Sequence, residues 1–380
     1  MSELHLNSLE ITNFRCFEHL TIEKLGRVNL IVGKNSVGKT ALLEAIRIFA
    51  NRGNPSTIFD ILGYRNEIDY SALLLDSTRQ VDLFSSSEAD MDSTIKYMFN
   101  GRHYEFGDTF SIGSGETNLS LGIALYAYSE EQPELGKRLI GPISLEDYEK
   151  YDELKPRISV SIDGKQRHSM PLFFENRRLP PRRNEGDDSI ICQFIPVSGL
   201  EIRAIAAFWE RISLTNSEKE IIENLNKVVA NLSGINLVGY SERSPSRSPF
   251  IIARIKDQPP VPLRSLGDGL YRAFGISLAL ASSSGGFLLI DEFETGLHYS
   301  VQTDTWRVLF ETAKRMNVQV FATTHSWDCV EAFQEAAAED QNEGAMLIRL
   351  QQKRSDDGIE AVLYDEELLA KATRQQVEVR

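Results

Sequence analysis

At 380 residues, 42% hydrophobic and 25% charged, the chain lies in the globular range and can hold one large domain or two modest ones. No run of about 18 apolar residues occurs, and Met1 to His5 lack the order of a secretory signal, so no membrane association and a cytoplasmic location are expected. A formal charge of −14 excludes whole-surface attraction to nucleic acid, leaves room for a local basic patch and favours a protein partner; Cys16, Cys192 and Cys329 are too scattered for a zinc site and read as reduced core residues.

In chain order, Leu9 to Phe17 alternates as a strand, and a second apolar run, Val28 to Val32, leads straight into glycine-rich sequence. After Thr40, residues Ala41, Leu42, Leu43, Ala45, Ile46 and Phe49 recur at helical spacing, so the loop opens a helix. From Asn51 to about Lys165 short alternating runs such as Ile158, Val160 and Ile162 predict antiparallel β structure. Asn176 to Asp188 reads as an exposed loop. Its Arg177, Arg178, Arg182 and Arg183 either meet nucleic-acid phosphates or form a solvated loop countered by Glu185, Asp187 and Asp188.

Ile202 to Ile212 and Glu218 to Leu232 are both helix-periodic and suggest an inserted helical hairpin. A regular alternation follows: helix Leu270 to Ala281, strand Phe287 to Ile290, helix Val301 to Met316, strand Val318 to Ala322. Strands from Ala345 to Leu350 and Ile359 to Tyr364, joined by a turn at Ser355 to Gly358, and a helix from Glu366 complete the chain. This is α/β order with a buried sheet.

Gly33-Lys34-Asn35-Ser36-Val37-Gly38-Lys39-Thr40 has the P-loop spacing G-x-x-x-x-G-K-[ST], with a strand before it and a helix after it as the motif requires. Backbone N–H groups and the helix N-terminus would face phosphates, Lys39 would neutralise β and γ oxygens, and Thr40 would hold Mg2+. Phe287 to Ile290 is an apolar strand ending in Asp291 and Glu292. Asp291 is placed to ligate Mg2+ and Glu292 to act as general base on the attacking water. His325 ends the next strand as Glu292 ends this one, and so could hydrogen-bond the γ-phosphate and the water, whereas His298 reads as structural.

Leu289-Ile290-Asp291-Glu292-Phe293-Glu294-Thr295-Gly296-Leu297-His298 resembles the Walker B and D-loop of ABC-type ATPases related to SMC, RecF and OLD proteins. Ser265-Leu266-Gly267-Asp268-Gly269 is similar to a divergent form of their signature motif. Ile11 to Phe17 looks like their opening strand phrase, and Thr323-Thr324-His325-Ser326 looks like their switch-histidine segment. The signature residues have a second reading, an ordinary glycine turn capping the next helix. Arg15 has two readings as well, a nucleotide contact by resemblance or a solvated edge-strand residue. Gln80 is the candidate for the Q-loop glutamine.

The resemblance implies an α/β P-loop NTPase, an ABC-type ATPase head with a mixed sheet, an antiparallel β subdomain and a short helical insertion. Residues 1–175 would form the N-terminal half, 176–240 the loop and hairpin insertion, and 241–380 the C-terminal half. It also implies a homodimer that sandwiches two ATP molecules, with Ser265, Gly267, Asp268 and Gly269 of one copy meeting the γ-phosphate held by the other. The insertion lacks the heptads of a long coiled coil, and the stretch after His325 is too short for a Toprim nuclease module, so an effector nuclease, in defence against phage, would be a separate chain encoded nearby. The alternative is a RecF-like clamp that grips DNA on ATP-driven closure. A kinase or GTPase reading lacks an Asn-Lys-x-Asp motif.

Overall fold

The computed structural model describes residues 3–67, 95–129, 138–143, 150, 154–171, 189–226, 231–239, 250–339, 344–353 and 358–374. The chain opens with an antiparallel hairpin, β1 (Leu9–Phe14) and β2 (Phe17–Ile22), then β3 (Val28–Val32), α1 (Lys39–Ala50) and α2 (Pro55–Tyr64). Asn54 starts α2 by accepting the Ser56 N–H at 2.9 Å, with Pro55 at the first helical position. This helix lies where the alternating runs predict only β structure. Strands β4 (Thr109–Gly113), β5 (Asn118–Ser129), β6 (Arg138–Pro142), β7 (Leu154–Ile162) and β8 (Lys165–Pro171) follow and are antiparallel, as expected for that stretch. Their sheet runs β2-β1-β4-β5-β7-β8, with β6 on β5.

The second sheet gathers strands from the whole length of the chain. β9 (Cys192–Ile195) precedes α3 (Ile202–Ile212) and α4 (Asn216–Leu225), and a small antiparallel sheet of β10 (Leu232–Val238), β11 (Phe250–Ile255) and β12 (Val261–Pro262) comes next. Then α5 (Asp268–Ala281), β13 (Phe287–Ile290), α6 (Tyr299–Arg315), β14 (Gln319–Thr323), α7 (Trp327–Glu339), β15 (Ala345–Gln352), β16 (Ile359–Tyr364) and α8 (Glu366–Arg374) complete it. The order is β16-β15-β3-β14-β13-β9, parallel except for β16. The fold is therefore mixed α/β, as the sequence leads one to expect.

The apolar runs in the parallel strands have a direct cause, since both faces of this sheet are covered. Ile31, Leu289 and Phe321 point into a core shared with α1 and the antiparallel sheet. Leu30, Leu288 and Val320, one position away, point into a second core built with α3 to α7. Gln319 and Asn29, polar at this depth, are satisfied: Gln319 donates to the Leu6 and Gly26 carbonyls, and Asn29 to those of Gly26 and Val320.

Two expectations change here. The helix predicted from Glu218 to Leu232 ends at Leu225, because the Asn226 amide donates to the Ile222 carbonyl and accepts the Leu232 N–H, turning the chain into β10. The stretch 176–240 is also more than an insertion. It supplies β9, an edge strand of the main sheet, and its helices α3 and α4 bury Ile205, Trp209, Ile221 and Leu225 in the second core. Gln80, the arginine cluster from Arg177 to Arg183 with its acidic neighbours, and most of the Ser355 to Gly358 turn lie outside the described residues. No helix among the described residues is long and apolar enough to cross a membrane.

Candidate active site

The P-loop fills the step between β3 and α1. Gly38 caps α1 at φ 92, in the left-handed region, and a side-chain carbon there would come within 2.5 Å of Cys16 Sγ and 2.6 Å of Phe17 Cζ. The β1–β2 turn thus presses the loop into shape. No side chain caps α1, and no acidic residue occupies its first turn, so its leading N–H groups stay open to an anion. Lys39 Nζ donates to the carbonyls of Gly33 at 2.7 Å and Lys34 at 3.1 Å, folding back over the loop where phosphate oxygens would bind. Burial lowers the pKa of the Lys39 ammonium, opposed by the nearby charges of Glu292, Asp291 and Glu294. Lys34, Asn35 and Ser36 are exposed, and Val37 is buried.

Because β13 lies parallel between β14 and β9, its C-terminal end delivers Asp291 and Glu292 to the sheet edge beside the P-loop. Asp291 is 3% exposed, and its carboxylate accepts from Thr40 Oγ1 at 3.1 and 3.3 Å and from Thr323 Oγ1 at 2.7 Å. Glu292 turns the backbone at φ 48, a conformation that costs a non-glycine residue roughly 1–2 kcal/mol. Its N–H donates to Thr323 Oγ1 at 2.8 Å, and its carboxylate accepts from Thr295 Oγ1 at 3.2 Å. His325 follows β14 at the same edge, with Nδ1 3.7 Å from the Glu292 carboxylate and 3.2 Å from that of Glu294. Glu294 also accepts the His325 N–H at 3.0 Å. Lys39, Thr40, Asp291, Glu292 and His325 therefore converge, as the strand ends predict.

Thr40 and Asp291 offer the hard oxygen donors that suit Mg2+, and they already stand within hydrogen-bond distance of each other. Among the described residues no group of three or more His, Cys, Asp or Glu is gathered as a complete metal cage. An ion held by two protein oxygens and completed by phosphate oxygens and water fits that donor set.

The AAA ATPase domain family matches residues 5–139 and 202–330, well over half of the sequence. The chain belongs to that family. The protein is thus an ATPase, and the resemblance read from its P-loop and strand-end acids is borne out. This AAA ATPase domain protein is similar to the ATP/GTP phosphatase of Helicobacter pylori, with 22% identity over 357 residues, 88% of this chain and 89% of that protein. It shares 31% identity over 70 residues with the DNA replication and repair protein RecF of Bacillus subtilis, 18% of this chain and 19% of RecF. The SMC head domain from Thermotoga maritima aligns with a TM-score of 0.42 at 14% identity, over 95% of this chain and all of that one.

Not every expected residue of the ATPase faces the P-loop. Arg15 is not the solvated edge-strand residue of its second reading: its side chain is 7% exposed, and its guanidinium pairs with Glu44 at 2.5 Å and Glu67 at 2.9 Å. Glu44 sits on α1 and takes Arg65 of the α2 C-cap as its second partner. Arg15 thus clamps the P-loop helix to the β1–β2 turn. Ser265 and Leu266 end a short 3-10 turn, Leu263–Leu266, Gly267 follows at φ 108, and Asp268 starts α5. A side-chain carbon on Gly269 would stand 2.9 Å from the Gly296 carbonyl, whereas one on Gly267 would meet nothing within 4 Å. The turn rests on the loop that follows Glu292 and opens outward.

Two residues of this edge escape sequence reasoning. Thr323 lies in the segment that resembles the switch-histidine stretch, yet nothing in the sequence gives it a role of its own. Arg272 falls inside a helix whose periodicity marks only apolar positions. His298 accepts the Ser300 N–H at 3.3 Å and so starts α6. A cavity of about 550 Å3 opens on the other side of the P-loop, lined by Cys16, Lys34, Asn35 and the end of β15.

Proposed function

We propose that the protein hydrolyses ATP at a site completed by a second copy, and that closing and opening of this dimer controls a separate effector. The carrying observation is the convergence of Lys39, Thr40, Asp291, Glu292 and His325 on one sheet edge. Gly33 to Thr40 wrap the triphosphate, with Lys39 released from the Gly33 and Lys34 carbonyls to meet the β and γ oxygens. Thr40 and Asp291 hold Mg2+, which neutralises phosphate charge when bound. Glu292 accepts a proton from the attacking water, and His325 steadies that water and the γ-phosphate from the neighbouring strand.

The outward-facing Ser265 to Gly269 turn presents α5 N–H groups to an anion, and a triphosphate held by a second copy is the partner we assign to it. The effector is a separately encoded protein, a Toprim-like nuclease in defence against phage, by the resemblance of this ATPase to OLD proteins. Lys39→Ala should abolish nucleotide binding, whereas Glu292→Gln should bind ATP, stop turnover and accumulate as a dimer in light scattering. Undiminished turnover by Glu292→Gln rules out the base. A monomer in saturating ATP rules out the composite site. A nuclease encoded beside this protein and retained by the Glu292→Gln dimer would support the effector reading.

A further inference from the structure

Arg272 lies on α5, one helical turn beyond Asp268, and is 7% exposed. Its Nη1–H donates to the Pro196 carbonyl at 2.9 Å, and its Nη2–H to the carbonyls of Asp291 at 2.9 Å and Glu292 at 3.1 Å. These carbonyls follow the C-terminal ends of β9 and β13, two neighbouring parallel strands. A flat guanidinium fork can reach three acceptors in one plane, which an ammonium on a flexible stem cannot do. Burial works against its charge, and the carboxylates of Asp291, Glu294 and Glu292 around it work in favour.

The Glu292 backbone is held from both sides, its N–H by Thr323 Oγ1 and its carbonyl by Arg272. That backbone sets where Cβ points, and so where the side chain starts, and the Thr295 hydroxyl then holds the carboxylate at 3.2 Å. A circuit of contacts closes through α5. Its first turn rests on Gly296 at Gly269, Gly296 belongs to the loop after Glu292, and Arg272 returns from the helix to Glu292 itself.

The geometry points to Arg272 as a positioning residue that holds Glu292 in its turned conformation and ties the aim of that carboxylate to the seat of the α5 N-terminal turn. This rests on Glu292 being the base. Arg272 touches carbonyls only, so its loss should alter hydrolysis and leave nucleotide affinity in place. The consequence for the dimer is direct: a ligand that draws on the Ser265 to Gly269 turn moves α5, and α5 carries the movement to the base.

Arg272→Gln and Arg272→Lys, alone and combined with Glu292→Gln, provide the test, read by single-turnover ATP hydrolysis and equilibrium binding of a fluorescent ATP analogue. Arg272→Gln should slow hydrolysis ~10- to 100-fold, as expected for a misplaced catalytic group. Affinity should stay within about twofold, and Arg272→Lys should recover part of the rate. In the Glu292→Gln background Arg272→Gln should cause no further loss, because the residue it positions is already disabled. Equal losses of affinity and rate, or losses that multiply fully in the double variant, overturn the inference. If Glu292→Gln is inactive and Arg272→Gln hydrolyses at the normal rate, the coupling alone fails. If Glu292→Gln hydrolyses normally, the assignment of the base fails. Thermal unfolding checks each variant, and should Arg272→Gln not fold, Arg272→Lys with its retained charge carries the same comparison.

Discussion

Thr323 and Asp291 share a buried hydrogen bond of 2.7 Å, and the same Thr323 hydroxyl accepts the Glu292 N–H at 2.8 Å. One side chain on β14 therefore orients a carboxylate and the turned backbone of the next residue, both on β13's end. Thr323→Val keeps the shape and removes donor and acceptor together. It should lower stability by about 1–3 kcal/mol, the range for leaving a buried polar group unpaired, and should lower turnover as well. Denaturant unfolding and steady-state hydrolysis measure the two effects, and Thr323→Ser should restore both in large part.

Gly38→Ala should fail for two separate reasons. The added carbon is strained at φ 92, and it would collide with Cys16 and Phe17 in the β1–β2 turn. Loss of ATP binding in the variant is the expected outcome. A second substitution, Cys16→Gly, should recover part of that binding by relieving one of the collisions, which titration with a fluorescent nucleotide will show.

Glu44 is 4% exposed and pairs with Arg15 and Arg65, so Glu44→Ala leaves a buried guanidinium with Glu67 as its carboxylate partner. Breaking a buried pair by deleting one member costs about 3–5 kcal/mol where the remaining charge has no other partner, and the Glu67 contact makes the loss here smaller. The midpoint of urea unfolding should fall accordingly. Since Glu44 lies on the helix that follows the P-loop, ATP should stabilise the variant against heat less than it stabilises the parent protein.

Burial pushes the Cys192 thiol up from 9.0 to about 12. The folded chain holds this group protonated, so its contribution to stability is complete below pH 9 and is lost as pH rises from there through about 12. Melting temperature against pH should fall less steeply over that range in Cys192→Ala. At pH 8 the native thiol should resist a disulfide reagent that labels the unfolded chain, because the thiolate is the reactive form.

The P-loop and the strand-end acids were legible because each is one contiguous stretch whose chemistry is complete in sequence. Glycines fix the turn, Lys39 and Thr40 follow at set spacing, and four apolar residues announce the strand that ends in Asp291 and Glu292. His325 was legible by the same logic of strand and end. The buried pairing of Arg15 was not legible because its partners, Glu44 and Glu67, are 29 and 52 positions along the chain, and Arg65, the second partner of Glu44, is as distant. Nothing local marks a buried ion pair.

What the sequence alone determined is the identity of the chemical groups and the elements that carry them, since periodicity and short motifs act over a few residues. What only the tertiary structure decided is adjacency: β9 beside β13, Thr323 under Asp291, and Arg272 against the carbonyls of Pro196, Asp291 and Glu292. Parallel strand pairing joins residues separated by whole helices. An apolar strand looks the same whichever neighbour it will have, so the contacts that aim the Glu292 carboxylate exist only once the sheet has closed its order.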